Sequence, residues 1–285
     1  MVADQGSSLP SSPKSASSKE LTRRILSAVV MIALALVMAY WGGWPFALFW
    51  LAAGIAIMVE WTDMTGIEPR RLVQAILGSG LAVLTLLFLA DASFGLGAAA
   101  GLAFLAAGVL ATKGASNKKW ATSSFLYASL IVLVPPIVRD HLELGILGLL
   151  WMFAVVWATD IAAYFTGRTF GGPKLCPSIS PKKTWSGFIG GVVAGALGGV
   201  LVAWAGEKYG LSLPFNLLGT AIISVIASVA SQIGDLGESA LKRHCNVKDS
   251  SHLIPGHGGV MDRLDGFWAV CLIVAAVLLT IHFTA

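Results

Sequence analysis

Residues 239–265 hold the densest set of chemically active side chains in the sequence. Within these 27 residues lie four basic side chains, three carboxylates and three histidines. They are Lys242, Arg243, Lys248 and Arg263; Asp249, Asp262 and Asp265; and His244, His252 and His257. The proline and glycines at 255, 256, 258 and 259 predict a turn in the middle. Because basic groups bind phosphate oxygens and carboxylates bind hard divalent metals, this stretch predicts a site for a polyanion.

The alternative is a solvated loop that only marks the cytosolic side of a membrane protein. Two features favour a site over this alternative. Asp262 and Asp265 are three residues apart, which puts both carboxylates on one face if the segment is helical. The His-Gly-Gly sequence at residues 257–259, just before them, has no evident role in solubility.

The stretch resembles the signature of CDP-diacylglycerol synthases, also called phosphatidate cytidylyltransferases. That signature is Ser-x-x-Lys-Arg, four residues, Lys-Asp, then Pro-x-His-Gly-Gly, two residues, and Asp-Arg-x-Asp. The matching positions are Ser239, Lys242, Arg243, Lys248, Asp249, Pro255, His257, Gly258, Gly259, Asp262, Arg263 and Asp265. The resemblance extends to residues 231–235 and 179–185, whereas the N-terminal half is similar only as generic membrane helices.

The resemblance implies an enzyme that joins CTP and phosphatidate to give CDP-diacylglycerol and pyrophosphate. It implies a Mg²⁺ ion, for which Asp235, Asp262 and Asp265 are the expected ligands, and a further monovalent cation such as K⁺. The catalytic candidates are Asp235, Asp262, Asp265, Lys242, Arg243 and His257. The substrate-binding candidates are Lys182, Lys183, Ser239, Lys248, Arg263 and Asp160. His257 is expected either to orient a phosphate or to donate a proton.

Composition assigns the chain to the polytopic membrane proteins. It has 285 residues, of which 56% are hydrophobic and only 12% charged, and its mean hydropathy is +0.79. Soluble domains carry about 25% charged residues. The three cysteines are scattered and have no metal-ligand spacing, so neither a disulfide framework nor a cysteine metal site is expected. We interpret the net charge of +4 as a consequence of membrane topology and not as a sign of nucleic-acid binding.

Hydropathy divides the chain into a tail and nine candidate spans, since a bilayer core needs about 20 apolar residues in a helix. Residues 1–20 are predicted to be a disordered polar tail. Residues 21–144 hold N-terminal transmembrane helices, and residues 145–285 form the catalytic region with cytosolic loops 168–186 and 235–266. The runs are 25–41, 44–60, 72–90, 94–112, 123–138, 145–167, 188–205, 217–234 and 267–283. Pro135 and Pro136 are expected to end or kink the fifth run.

The distribution of positive charge tests this count. With the N-terminus inside, nine spans place 17 of the 19 Lys and Arg residues on the cytosolic side and leave Arg139 and Lys208 outside. This bias predicts an all-α protein with its N-terminus in the cytosol and its C-terminus outside. Both polar loops then face the cytosol, and the resemblance implies location in the inner (plasma) membrane.

Two further segments are candidates for lining the site. Asp160 lies inside the sixth span, with Tyr164 and Arg168 on the same helix face, and the alternative is a structural Asp paired with a neighbouring helix. Lys182 and Lys183 are expected to bind triphosphate, or else to be a topology signal beside a helix cap. The family more often has Glu where this chain has Ser186. If that Glu has a role in the family's site, the departure weakens the transfer of this role to the present chain.

Helical spacing suggests two other stripes. Ser231, Asp235 and Ser239 recur every four residues, so they form one polar face that could reach a metal from the end of a span. Glycines recur every four residues from 187 to 199 in the seventh span, which allows another helix to approach closely. That helix belongs either to the same chain or to a second copy in a homodimer, and the sequence leaves both open.

Two other functional classes fit part of the pattern. A secondary transporter also has intramembrane charge and glycine-rich helices, but it is expected to show repeat symmetry, which is not visible here. A related nucleotidyltransferase or kinase acting on another lipid or prenyl phosphate would share the chemistry and differ in the acceptor.

The charge distribution makes a prediction about topology. In a background without native cysteines, Lys182→Cys and Arg243→Cys should react with a membrane-impermeant thiol reagent only from the cytosolic side. Lys208→Cys should react only from the outside. Labelling of intact cells and of inside-out vesicles measures both, and the reverse pattern at these positions would contradict the predicted orientation.

Overall fold

A computed structural model describes residues 14–254 and 258–284. In this part of the chain nine helices account for most of the structure, in agreement with the predicted all-α class. They are α1 (Lys14–Trp41), α2 (Gly43–Thr65), α3 (Arg70–Leu89), α4 (Phe94–Ala111), α5 (Ala115–Asp140), α6 (Gly145–Phe170), α7 (Trp185–Glu207), α8 (Leu217–His244) and α9 (Met261–Thr284). A short antiparallel hairpin, β1 (Lys174–Cys176) and β2 (Ser180–Thr184), lies between α6 and α7.

Eight of the described helices are long and apolar enough to cross a membrane. The exception is α1, whose described apolar part, Leu26–Trp41, is shorter than a full span. This helix begins at Lys14, inside the stretch predicted as a disordered tail, and residues 1–13 of that tail lie outside the described residues. The structure therefore supports a polytopic membrane protein, with eight helices in its described part that could cross a bilayer.

Helix α5 differs from its predicted end. Pro135 and Pro136 lie inside the helix, which continues to Asp140, and both prolines are buried. The proline ring removes one backbone donor and displaces the carbonyl four residues earlier. The helix has only four residues left after Pro136, so few backbone bonds are disturbed and packing keeps the last turn in place.

Successive helices alternate in direction, so the ends of α2, α6 and α8 and the beginnings of α7 and α9 meet at one end of the bundle. We call this the site end. The beginning of α5 lies here as well, because the ring centroids of Trp120 and of His244 at the end of α8 are 5.6 Å apart. The two long predicted loops, 168–186 and 235–266, both fall here. The second is shorter than predicted, because α8 continues to His244 and α9 begins at Met261.

Aromatic stacking joins the N-terminal helices to α9. The rings of Trp50 and Phe267 stack with centroids 5.2 Å apart, and those of Tyr127 and Trp268 stack at 4.4 Å. These residues belong to a buried cluster that spans α2, α5, α6, α8 and α9. A second cluster packs α2 against α3 and α5. The two predicted regions of the chain thus share one core.

The glycine stripe of α7 is covered within the chain. Gly187, Gly191 and Gly195 lie against the backbone of Ala163, the backbone of Thr159 and the side chain of Ser228, respectively. Buried hydroxyl groups form a hydrogen bond beside these glycines, where the Thr159 and Ser228 oxygens are 2.6 Å apart. Intramolecular packing against α6 and α8 therefore accounts for the stripe, and a homodimer stays a prediction.

This packing predicts a difference between two glycines. Gly195→Leu should lower the free energy of unfolding by about 1–3 kcal/mol or more, because the new side chain would overlap Ser228 and Thr159. Gly97→Leu in α4 is the matched control, since a Cβ there meets nothing within 4 Å. Thermal unfolding in detergent measures both, and equal midpoints for the two variants would contradict the proposed contact.

Candidate active site

A cavity of about 740 Å³ opens at the site end, between α6, the hairpin and the neighbouring ends of α7, α8 and α9. Its lining includes six acidic and six basic side chains. The acidic ones are Asp160, Asp235, Glu238, Asp249, Asp262 and Asp265, and the basic ones are Arg168, Lys174, Lys182, Lys183, Lys242 and Arg263. Segments that are up to about 100 residues apart in the sequence thus contribute opposite charges to one polar space.

Three carboxylates converge in the cavity. One oxygen from each of Asp235, Glu238 and Asp265 lies within 4.8 Å of the others. Asp235 and Glu238 are three residues apart on α8 and therefore share a helix face. Asp265 joins them from α9 because the two helices approach at glycine: a Cβ at Gly234 would lie 2.7 Å from the Asp265 carbonyl oxygen.

Lys242 connects this group to a fourth carboxylate. Its Nζ lies 2.7 Å from Glu238 Oε2 and 2.6 Å from Asp262 Oδ1, and all three side chains are largely buried. The other Asp262 oxygen, Oδ2, accepts hydrogen bonds from the amides of Ser250 at 2.9 Å and Gly259 at 2.7 Å. Asp262 is therefore committed to holding Lys242 and the loop that precedes α9.

This arrangement differs from the predicted metal ligands in one member. The structure brings oxygens of Glu238, and not of Asp262, within 4.8 Å of Asp235 and Asp265, and the metal ligands themselves stay a prediction. The sequence contained a signal for Glu238 that the motif comparison passed over. Glu238 falls three residues after Asp235 and four before Lys242, which places it between them on the same helix face.

The hairpin brings cations to the opposite wall. Lys182 and Lys183 on β2 and Lys174 on β1 line the cavity, and Lys183 Nζ lies 2.5 Å from Asp235 Oδ2. Thr184 then caps α7, its hydroxyl accepting a hydrogen bond from the Gly187 amide at 3.1 Å. The lysines thus face the cavity and the adjoining Thr184 caps a helix, while triphosphate binding and the topology signal both stay predictions.

Ser186 lies where the resemblance leads one to expect a glutamate after the tryptophan. Its hydroxyl donates to the carbonyl oxygen of Gly171 at 2.5 Å and lies 3.0 Å from the Thr184 hydroxyl. In this chain the position therefore ties the start of α7 to the end of α6. It adds no charge to the cavity.

Helix α6 supplies a polar face that reaches along the cavity. Asp160, Tyr164 and Arg168 all line it, and Arg168 Nη1 donates to the Tyr164 hydroxyl at 2.8 Å. The next side chains around the helix, Ile161 and Phe165, are apolar and exposed on the outer surface of the protein. One helix thus presents polar groups to the cavity and apolar groups beside it.

Three predicted site residues lie outside the cavity lining. Arg243 is exposed and donates to the Val247 carbonyl oxygen at 3.3 Å, and Lys248 is exposed outside the cavity lining. Arg243 follows Lys242 directly, so it points about 100° away around the helix. The Ser239 hydroxyl is 3.5 Å from Asp235 Oδ1 and reaches the cavity only through that carboxylate. His257 lies outside the described residues.

Neighbouring cations at the end of α8 should contribute differently to stability. Lys242→Met should lower the free energy of unfolding by about 3 kcal/mol, because it leaves the Glu238 and Asp262 carboxylates without their shared cation. Arg243→Met, the control, should change it by less than about 0.5 kcal/mol because its side chain is exposed. Denaturation in detergent micelles measures both, and a Lys242→Met protein as stable as the control would contradict the assignment of this network.

Comparison with known proteins places the chain in a family. The sequence profile of the Cytidylyltransferase family matches residues 22–281. The chain is 40% identical to a phosphatidate cytidylyltransferase of Brucella suis over 262 residues, which cover 91% of this chain and 92% of that protein. It is 34% identical to one of Haemophilus influenzae over 280 residues, covering 87% and 95% of the two chains. The resemblance found in the sequence is confirmed, and the chain belongs to the cytidylyltransferase family.

Proposed function

We propose that this protein is a phosphatidate cytidylyltransferase, which converts CTP and phosphatidate to CDP-diacylglycerol and pyrophosphate. The observation that carries the proposal is the cavity, in which a cluster of carboxylates faces cations from α6, the hairpin and α9. A phosphate oxygen of phosphatidate attacks the α-phosphorus of CTP and forms the new P–O bond. The bond from that phosphorus to the oxygen bridging toward the β-phosphorus breaks, and pyrophosphate leaves.

Cations bind and orient the two phosphate-bearing substrates. Lys182 and Lys174 on the hairpin, Arg168 at the end of α6 and Arg263 on α9 line the cavity wall and carry the charge that phosphate oxygens need. The acidic and basic groups balance at six each, so positive groups must be concentrated where the triphosphate binds. In transfers of this type positioning and charge neutralisation do most of the work. A phosphate monoester is already anionic near pH 7, so no strong general base is required.

A lipid acceptor fits the position of the cavity. Asp160 and Tyr164 face the polar space, whereas Ile161 and Phe165 on the same helix are exposed apolar groups. Apolar groups exposed on a membrane-spanning helix face acyl chains. An amphipathic substrate can therefore keep its chains in the bilayer and extend its phosphate past α6 into the cavity.

The cluster of three carboxylates suits a hard divalent cation such as Mg²⁺. Asp235, Glu238 and Asp265 offer oxygen ligands within 4.8 Å of one another. Glu238 Oε1 is buried and accepts no hydrogen bond from the residues that the structure describes. These three residues would hold the ion, which would supply positive charge to the phosphate oxygens. A second, monovalent cation such as K⁺ stays a prediction.

The same proposal assigns the site end to the cytosolic face of the bacterial inner membrane. CTP is a cytosolic compound, and the charge distribution of the sequence favours the same orientation. The helices support the multi-pass membrane location.

Transfer of label from α-³²P-CTP to lipid tests the function. Purified protein in mixed micelles with magnesium should move the label into the organic phase when phosphatidate is present. With a polyprenyl phosphate in its place, transfer should be at least tenfold slower. Equal or faster labelling of the polyprenyl acceptor would favour the related lipid nucleotidyltransferase, and no transfer to phosphatidate would contradict the proposal.

Glu238→Gln tests the proposed ligand set. It keeps the shape of the side chain and removes one negative charge, so we expect kcat to fall by about a hundredfold or more, as for other electrostatic groups at a reacting centre. The magnesium concentration for half-maximal activity should also rise. Asp249→Asn removes a charge from an exposed position of the same cavity and should lower kcat less than tenfold. Similar magnesium curves for wild type and Glu238→Gln would remove Glu238 from the ligand set.

A further inference from the structure

We propose that Glu60, in the N-terminal half of the chain, is a positioning residue for the active site. This inference rests on the proposed function. Glu60 lies in the last part of α2 and is only 4% exposed. Its carboxylate contacts the segment between α8 and α9, about 190 residues away in the sequence. Its hydrogen-bond partners among the described residues do not line the cavity, so its action runs through the segment that it holds.

Four hydrogen bonds from this segment converge on the Glu60 carboxylate. Oε1 accepts from the Val260 amide at 2.8 Å and the Ser251 hydroxyl at 2.7 Å. Oε2 accepts from the Met261 amide at 2.8 Å and lies 3.0 Å from the Ser250 hydroxyl. These donors are all neutral, and two of them are backbone amides at the beginning of α9.

The two amides explain why a carboxylate is placed here. The first amides of a helix have no partner within the helix, and they carry the positive end of its dipole. A side chain just before the helix usually fills this role. In α9 an acidic group from another helix fills it, and Gly259 makes room: a Cβ there would lie 2.6 Å from both Glu60 oxygens.

Ser250 connects Glu60 to the active site. Its hydroxyl lies 3.0 Å from Glu60 Oε2 and 3.0 Å from Asp262 Oδ2, and its single proton serves one oxygen at a time. Its amide donates to the same Asp262 oxygen at 2.9 Å. Asp262 then holds Lys242, whose ammonium group contacts Glu238. A continuous set of contacts thus runs from Glu60 to the carboxylate group in the cavity.

Packing of α2 does not require this carboxylate. Trp50 and Ile57 already bury the helix in the apolar core, and burying a charged group without a cation is unfavourable. Hydrogen bonds add what apolar contacts lack, because they fix direction as well as distance. Glu60 therefore sets the position of the first turn of α9 along the helix axis and its rotation about that axis. Asp265, one residue beyond that turn, is placed by the same constraint.

Two substitutions at Glu60 and one control separate this role from general stability. Glu60→Gln keeps the shape but turns one acceptor oxygen into a donor, which cannot accept from Val260 or Met261. Glu60→Asp keeps the charge and shortens the reach. Asp63→Asn is the control, because Asp63 is half-exposed on the same helix and pairs with Arg70 and Gln74.

Steady-state transfer of CTP label to phosphatidate is measured alongside hydrogen exchange of residues 258–262 in the full-length protein. We expect kcat of Glu60→Gln to fall at least tenfold at saturating substrates, with KM for CTP within threefold of wild type. Exchange of the 258–262 amides should accelerate. Glu60→Asp should recover part of kcat, and Asp63→Asn should stay within twofold of wild type in both measurements.

Ser250→Ala provides a second test of the inference, and it does not alter a buried charge. Its kcat should fall about three- to tenfold, and the Glu60→Gln, Ser250→Ala double variant should be no slower than Glu60→Gln alone, because both act through one connection. If Glu60→Gln does not fold, wild-type kcat in Ser250→Ala overturns the inference by itself.

Three results with folded proteins would overturn the inference. They are a Glu60→Gln kcat within twofold of wild type, equal losses in Glu60→Gln and Asp63→Asn, and losses that multiply in the double variant. Wild-type protein that transfers no label to phosphatidate contradicts the proposed function itself. Normal wild-type transfer with an unaffected Glu60→Gln contradicts only the role of Glu60.

Discussion

The close approach of three carboxylates between α8 and α9 is the constraint on which the rest of the site depends. Asp235, Glu238 and Asp265 converge because glycines let the two helices meet. Like charges in a partly dry space repel one another strongly, so the arrangement needs positive charge nearby. Lys242 and Lys183 supply part of it from within the chain. The need for cations on several sides explains why separate segments extend lysine and arginine into one cavity.

Apolar packing and hydrogen bonding divide the task of holding this group together. Stacked aromatic rings, such as Trp50 on Phe267, bring α9 against the N-terminal helices. Such stacking brings the helices together, but it provides no partner for the polar backbone groups at the beginning of α9. Asp262 and Glu60 accept the hydrogen bonds of those groups and fix the segment before α9. The described residues of α1–α5 do not line the cavity, and Glu60 reaches it only through the segment before α9.

The paired glycines of the signature have different physical roles. Gly258 has a φ of +81°, a left-handed conformation that glycine adopts without strain. Gly259 has no room for a side chain, because Glu60 and Ser250 lie against its Cα. One glycine turns the chain and the other admits two hydrogen-bonding partners. Together they explain why this turn, which precedes two acidic residues of α9, is made of glycine.

Composition and hydropathy were enough to assign the class of the protein and its helical runs, and the spacing of the motif was enough to identify the family. Hydropathy is a local property, so runs of apolar residues specify helices whatever lies beside them, and typed positions at fixed spacing carried the family resemblance. The grouping of Glu238 with Asp235 and Asp265, and the hydrogen bonds of Asp262 and Glu60 to the segment before α9, could be seen only in the folded chain. The tertiary structure also decided that Arg243 points away from the cavity. These outcomes depend on distances between helices and on rotation about their axes, which are set by packing among residues far apart in the chain.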